Sequence, residues 1–110
     1  MERRTSSRAH VDFPVHAHVD GYRHGCRAID LSASGMVVER TPSLASRGAP
    51  ETGLLELDLR DGQLPIRVRA RTVWSKGRLL AVRFIAIHDV DRLAIAEQLD
   101  QCMKQRQTLH

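Results

Sequence analysis

The chain has 110 residues, of which 42% are apolar, and it carries a formal net charge of +4. This length supports one domain with a single modest core. No stretch approaches the ~18 apolar residues of a membrane span, and the basic N-terminus lacks the apolar segment of a secretory signal, so we expect a cytoplasmic protein without membrane insertion. Cys26 and Cys102 show no paired spacing, which favours buried thiols over redox or metal chemistry.

The first half of the chain predicts three strands. Apolar and polar residues alternate from Val11 to Val19, which indicates a half-buried strand. Asp20, Gly21 and Gly25 bracket a predicted hairpin, and further strands are expected at residues 26–31 and 36–40. Residues 41–53 are rich in Pro, Gly, Ser and Thr and predict the longest loop.

The second half predicts three more strands and a helix. Alternation marks strands at residues 55–59, 66–74 and 79–87, and it places Trp74 in the core-facing register of its strand. From residue 89 the period becomes helical, with a predicted apolar face made of Ile95, Ala96, Leu99, Cys102 and Met103. Antiparallel strands without intervening helices favour a small closed barrel, because closure hides the strand edges.

The predicted organisation is therefore a single all-β domain over residues 1–110 with one C-terminal helix. Residues 10–88 form the barrel and residues 89–107 the helix. Residues 1–9 have few apolar anchors, so we expect a flexible, arginine-bearing tail.

Two short motifs carry the chemistry. Arg4 and Arg8 form an RxxxR pair, whose guanidinium groups suit a compact anion such as a phosphodiester. Asp30, Ser32 and Gly35 form a DxSxxG motif at the end of the second predicted strand. The carboxylate can accept from the N–H groups of a guanine and the hydroxyl can donate to an oxygen, while the glycine permits a positive φ and lets the backbone approach a ligand closely. Alone, DxSxxG is also an ordinary turn.

With Ala70-Arg71-Thr72-Val73-Trp74 and Val82-Arg83-Phe84, these motifs make the whole chain resemble the bacterial PilZ domain family. The resemblance implies a six-stranded antiparallel PilZ-type β-barrel that binds cyclic dimeric guanosine monophosphate (c-di-GMP), with Asp30, Ser32 and Gly35 lining a site outside the barrel. An arginine at position 3 implies binding of an intercalated ligand dimer. Two departures are the spacer Thr5-Ser6-Ser7, which lacks an aromatic residue, and Ala81 in place of a glycine.

The resemblance predicts a second-messenger receptor that reports c-di-GMP to a downstream protein in motility or biofilm regulation, through ordering of the RxxxR tail. The alternative is a PilZ-fold interaction module with a weak or vestigial nucleotide site. Trp74 can either stack on a guanine or pack in the core. The strand bearing Arg67, Arg69 and Arg71 presents either a basic stripe or a face balanced by Glu56 and Asp58.

Other functions find little support in the residues. Nothing predicts a cofactor, and His16-x-His18 lacks the further ligands of a metal site. No nucleophile motif or paired carboxylates indicate an enzyme. Four aromatic residues are too few for a groove that stacks single-stranded nucleic acid, so such a partner is not expected.

Overall fold

The computed structural model describes residues 8–59 and 62–108, with side chains as far as Lys104. Six strands close into an antiparallel barrel in the order β1-β2-β3-β6-β5-β4, and one long helix follows them, as predicted. The elements are β1 Arg8–Val19, β2 Tyr22–Ser32, β3 Gly35–Arg40, α1 Pro42–Ala45, β4 Thr52–Leu57, β5 Ile66–Lys76, β6 Leu79–Ala86 and α2 Asp89–Thr108.

The barrel core forms because alternate residues of each strand point inward. Phe13 and Val15 of β1, Leu31 of β2 and Val68 of β5 are buried together. Helix α2 adds Ile95 and Leu99 to the same cluster, and it contacts β1 and β2. Within the described residues, no helix is long and apolar enough to cross a membrane.

Strand β1 begins before the predicted barrel boundary. Ala9 is 2% exposed and pairs with Leu31, while Arg8 pairs with Ser32. Both residues therefore belong to the barrel and not to the predicted tail, because burial of Ala9 extends the core to this end of the strand. The rest of that predicted tail, residues 1–7, lies outside the described residues.

Two further boundaries differ from the prediction. Strand β2 begins at Tyr22 and includes Gly25, because Asp20 (φ 53°) and Gly21 (φ 82°) complete the hairpin turn by themselves. The predicted loop at 41–53 contains α1, whose first turn is capped by the Thr41 hydroxyl accepting from the Leu44 amide at 3.2 Å.

The buried face of α2 is rotated from the predicted one. Ile95 and Leu99 are buried and Cys102 is partly packed against the core, as expected, but Ala96 and Met103 are exposed. The buried stripe instead includes Ala94 and Gln98. At about 100° per residue, Ala96 and Met103 lie roughly 100° or more from its centre, so they point away from the barrel.

Candidate ligand-binding surface

A row of outward-facing residues crosses five strands of the barrel. Asp30 of β2 pairs with His10 of β1 on one side and with Val37 of β3 on the other. Val37 pairs with Ala81 of β6, and Ala81 pairs with Trp74 of β5. Val37 and Ala81 are small, stand outside the barrel's core cluster and are each 7% exposed, so they form a low and largely covered floor between Asp30 and Trp74. With strands about 4.8 Å apart, the two ends of this floor lie within about 15 Å.

Arg8 and Asp30 form one end of this outer row. The Arg8 Nε lies 3.4 Å from the Asp30 Oδ2, with 62% of the arginine side chain and 23% of the carboxylate side chain exposed. The structure therefore brings together the last arginine of RxxxR and the first residue of DxSxxG. Arg3 and Arg4 lie outside the described residues, so their predicted contribution is unaffected by this geometry.

Ser32 is used within the turn that follows β2. Its hydroxyl donates to the Gly35 carbonyl at 3.2 Å and lies 3.4 Å from the Ser34 Oγ. The Phe84 amide donates to the Ser34 carbonyl at 2.8 Å, which ties this turn to β6. Ser32 is buried and is first of all a turn-stabilising residue, while its oxygen lone pairs remain able to accept a further hydrogen bond.

Gly35 has a structural role in addition to the predicted one. It does not use the positive φ that a glycine permits. A methyl carbon added at Gly35 would lie 2.1 Å from the Val82 carbonyl oxygen, well inside any allowed contact. The close neighbour is therefore the backbone of β6. Glycine allows β3 and β6 to pair at the turn, and this pairing holds the DxSxxG backbone in place.

Trp74 faces outward, and its predicted core-facing register was wrong. The strand register shifts between Thr72 and Trp74, with Thr72 opposite Val82 and Trp74 opposite Ala81. This bulge adds one residue, Val73, and so turns Trp74 to the outer face, where 45% of it is exposed. The indole lies on the same face as Asp30, which suits the stacking alternative; stacking itself stays a prediction.

Two arginines near Gly35 were not proposed as site residues from the sequence. Arg83 pairs with Gly35 on one side and with Arg71 on the other, and both arginine side chains are exposed. Neither has an ion-pair partner among the described residues. Like charges opposite one another disfavour strand pairing, so this pair favours a nearby anion. The alternation of β6, which points Arg83 outward next to the turn, was the available signal.

One arginine of β5 fits the prediction of a charge-balanced face, and two fit the prediction of a basic stripe. Arg67 pairs with Glu56, at 3.3 Å from its Nε to the Glu56 Oε2, as the charge-balanced alternative predicted. Arg69 and Arg71 stand opposite Leu54 and Thr52 instead of carboxylates. The positive charge of β5 that no carboxylate opposes therefore lies at Arg69 and Arg71, toward Arg83 of the neighbouring strand β6.

Several basic side chains surround Glu56 on the outer face of the barrel, away from the row that runs from Asp30 to Trp74. Arg23 donates to its Oε1 at 3.0 Å, and the His18 Nε2 lies 3.3 Å from the same oxygen. Burial opposes ionisation of Glu56, but the hydrogen bonds from His18 and Arg23 and the charge of Arg23 outweigh it, so the pKa of Glu56 is lowered. This cluster ties β1, β2, β4 and β5 together and is structural.

Comparison with known proteins identifies the family. The sequence matches the family profile of the PilZ domain over residues 2–101. The chain belongs to the PilZ domain family, which confirms the resemblance predicted from its motifs. A search for curated relatives found no match.

Several solved structures share the fold. The inhibitor of motility MotI/DgrA of Bacillus subtilis superimposes with a TM-score of 0.71 at 17% identity, covering 100% of this chain and 54% of that one. This chain therefore spans about half the length of that protein. The PilZ domain of YcgR from Escherichia coli, solved with c-di-GMP, gives a TM-score of 0.66 at 15% identity, covering 97% of this chain and 96% of that one. The PilZ domain of CeSA from a cellulose-synthesizing bacterium gives 0.63 at 15% identity, covering 86% and 96%.

Proposed function

We propose that this chain is a c-di-GMP receptor whose site is the outer row from Arg8 and Asp30 to Trp74. The observation that carries the proposal is the Arg8–Asp30 contact, because it joins the RxxxR and DxSxxG motifs on one exposed surface. The PilZ family and the YcgR domain solved with c-di-GMP support the choice of ligand.

Each part of the ligand has a suitable group on this surface. A phosphodiester would accept from Arg8, and the Watson–Crick edge of a guanine would donate to the Asp30 carboxylate. A flat base would pack over the floor of Val37 and Ala81, which are each 7% exposed in this structure, and the exposed indole of Trp74 offers a stacking face. Arg83 lies two residues along β6 from Ala81, on the same face, and would supply a second cation for phosphate.

Ligand binding would also position the remaining arginines. Arg4 and Arg3 lie four and five residues before Arg8, where β1 begins, so a short stretch of chain would let them reach a phosphate held beside Arg8. We propose that binding orders residues 1–7 across the surface and that the ordered segment forms part of the contact with a downstream protein. Arg3 would then favour an intercalated ligand dimer, as the family resemblance implies.

Isothermal titration with c-di-GMP tests the receptor proposal. Arg8→Ala and Asp30→Ala should each weaken binding about 10- to 150-fold, which corresponds to the loss of one charge-assisted contact. Arg23→Ala is the matched control, since Arg23 lies about 23 Å along β2 from Asp30. Wild-type affinity in both site variants, or no heat with the wild-type protein at high micromolar ligand, would reject the proposal.

Tryptic digestion tests the ordering of the N-terminal segment separately. Cleavage after Arg3 and Arg4 should slow in the presence of saturating c-di-GMP, while cleavage at an arginine remote from the site is unchanged. Unchanged cleavage after Arg4 in a protein that binds the ligand would disprove the ordering but leave the receptor function intact.

The alternative function is a protein-interaction module with a weak nucleotide site. It is favoured by the exposure of Val73, Trp74 and Ile85 on neighbouring strands, and by the internal use of the Ser32 hydroxyl. A pull-down with and without ligand separates the two. A partner captured equally in both conditions, by a chain that gives no heat with c-di-GMP, would support the alternative.

A further inference from the structure

The end of the barrel opposite α2 holds a cavity of about 260 Å³ that the proposed function does not use. Strand residues wall it, among them Ala17, Val38, Leu55, Ala70 and Leu80, and Leu44 of α1 adds to the apolar lining. An apolar cavity of about 150 Å³ accommodates benzene, which has six heavy atoms. By proportion, this cavity has room for a ligand of about ten heavy atoms.

A buried cation lines the cavity. Arg40 is 4% exposed, and its guanidinium donates to backbone carbonyls at 2.8–3.4 Å. The acceptors are Gly48, Gly77, Arg78 and Leu79. No carboxylate of the described chain pairs with Arg40, and one of its five N–H groups has no acceptor there. A buried charge without a counter-ion is costly, so this position favours an anion.

The other basic side chains that line the cavity, Arg47 and His18, lie beside carboxylates of their own, and the His18 Nε2 is 3.3 Å from the Glu56 Oε1. Arg47 pairs at 3.3 Å with Asp20, the only carboxylate in the part of the lining that the structure describes, and both side chains are well exposed. Burial raises the pKa of the Cys26 thiol, although the charge of Arg40 opposes this, so the thiol is uncharged at neutral pH. The cavity therefore combines apolar walls with a net positive charge.

From the apolar lining and the uncompensated Arg40, we propose that this cavity binds a medium-chain aliphatic carboxylate, with its carboxylate at Arg40 and its chain against the barrel interior. Octanoate, with eight carbons and two oxygens, matches the available volume. The side chains of Asp20 and Arg47 are 74% and 47% exposed, so a chain that enters from their side would have to separate or pass this ion pair.

Titration with sodium octanoate and, in parallel, with 1-octanol tests the proposal. Octanoate should bind in a 1:1 ratio and about tenfold or more tighter than octanol, because only the carboxylate can pair with the guanidinium. Equal affinity for the two compounds would overturn the assignment to Arg40. Absence of octanoate binding at millimolar concentration would overturn the site itself.

Filling the cavity provides a variant that should fold. Ala70→Leu adds three carbons to the space and should abolish octanoate binding, and Ala17→Leu repeats the test from β1. Ala96→Leu on the exposed face of α2 is the matched control and should bind as wild type. Unchanged binding in both folded cavity variants would reject the proposal.

A chemical readout locates the ligand independently. In a Cys102→Ser protein, alkylation of Cys26 by a maleimide should slow at least severalfold with saturating octanoate, because Cys26 lines the cavity. An unchanged rate would place the ligand elsewhere. The c-di-GMP titration is a separate experiment, so failure of either site leaves the other one standing.

Discussion

Replacing Gly35 by alanine should destabilise the barrel, because the added methyl group has no room beside β6. The added methyl carbon would lie 2.1 Å from the Val82 carbonyl oxygen, and a tolerated contact needs more than about 3 Å. Strands β3 and β6 must therefore separate by about 1 Å where their pairing begins. Overpacking of this size costs about 1–3 kcal/mol. The hydrogen bond of 2.8 Å from the Phe84 amide to the Ser34 carbonyl lies next to Gly35, and its weakening adds about 1 kcal/mol.

The expected loss is therefore about 2–4 kcal/mol in the free energy of unfolding, or roughly 8–16 °C in Tm for a chain of this size. Urea unfolding followed by far-UV circular dichroism measures it. Gly25→Ala in β2 is the matched control, because Gly25 lies within a strand, has no positive φ, and a methyl group there would meet nothing within 4 Å. We expect that control to change stability by less than about 1 kcal/mol.

A Gly35→Ala protein with wild-type stability would refute the steric argument. If that stable variant also lost c-di-GMP binding, then the glycine would serve the approach of the ligand, as the motif alone suggested. The two explanations for the same residue are thus separated by comparing unfolding with titration on one protein.

Three further predictions test other parts of the structure. Arg83→Ala should weaken c-di-GMP binding about 5- to 50-fold and leave stability unchanged or slightly higher, since it relieves the repulsion with Arg71; a titration unaffected by the change would remove Arg83 from the site. Because the pKa of Glu56 is lowered in the folded protein, its ionised carboxylate stabilises the fold above the unfolded-state pKa of about 4.3. This stabilisation is lost as the pH falls through the lower pKa of the folded state. The difference in unfolding free energy between wild type and Glu56→Gln should therefore shrink below about pH 4.3, whereas a constant difference from pH 7 to pH 3 would contradict the charge assignment. Deletion of Val73 removes the extra residue of the bulge and should keep Trp74 opposite Ala81, so the emission of this single tryptophan should stay that of an exposed indole; a strong blue shift would contradict the register.

Much of the fold followed from local pattern. The alternation from Val11 to Val19 predicts β1 correctly because one face of an antiparallel strand packs on the core and the other meets solvent. The spacing of RxxxR and DxSxxG predicts two groups that the structure joins, Arg8 and Asp30, since hairpin pairing places the start of β1 beside the end of β2.

The errors share a physical cause, which is dependence on partners distant in sequence. Trp74 was assigned to the core because alternation was extended across Val73, and a bulge is visible only when the opposing strand is known. The structural role of Gly35, which was missed from the sequence, likewise depends on Val82, which lies far along the chain. The buried face of α2 is set by the barrel end on which it packs, and several of its faces carry apolar residues.

Bulges on either side of the floor give the proposed site its two ends. In β2 the register shifts between Ala28 and Asp30, so Ala28 remains in the core while Asp30 faces outward. In β5 the shift between Thr72 and Trp74 turns the indole of Trp74 to the outer face in the same way. Without the bulges, Ala28 and Asp30 would point to the same face of β2, and Thr72 and Trp74 to the same face of β5, because the side-chain period of a strand is two. The barrel thus keeps an apolar interior along both strands and still presents a carboxylate and an aromatic ring on one outer surface.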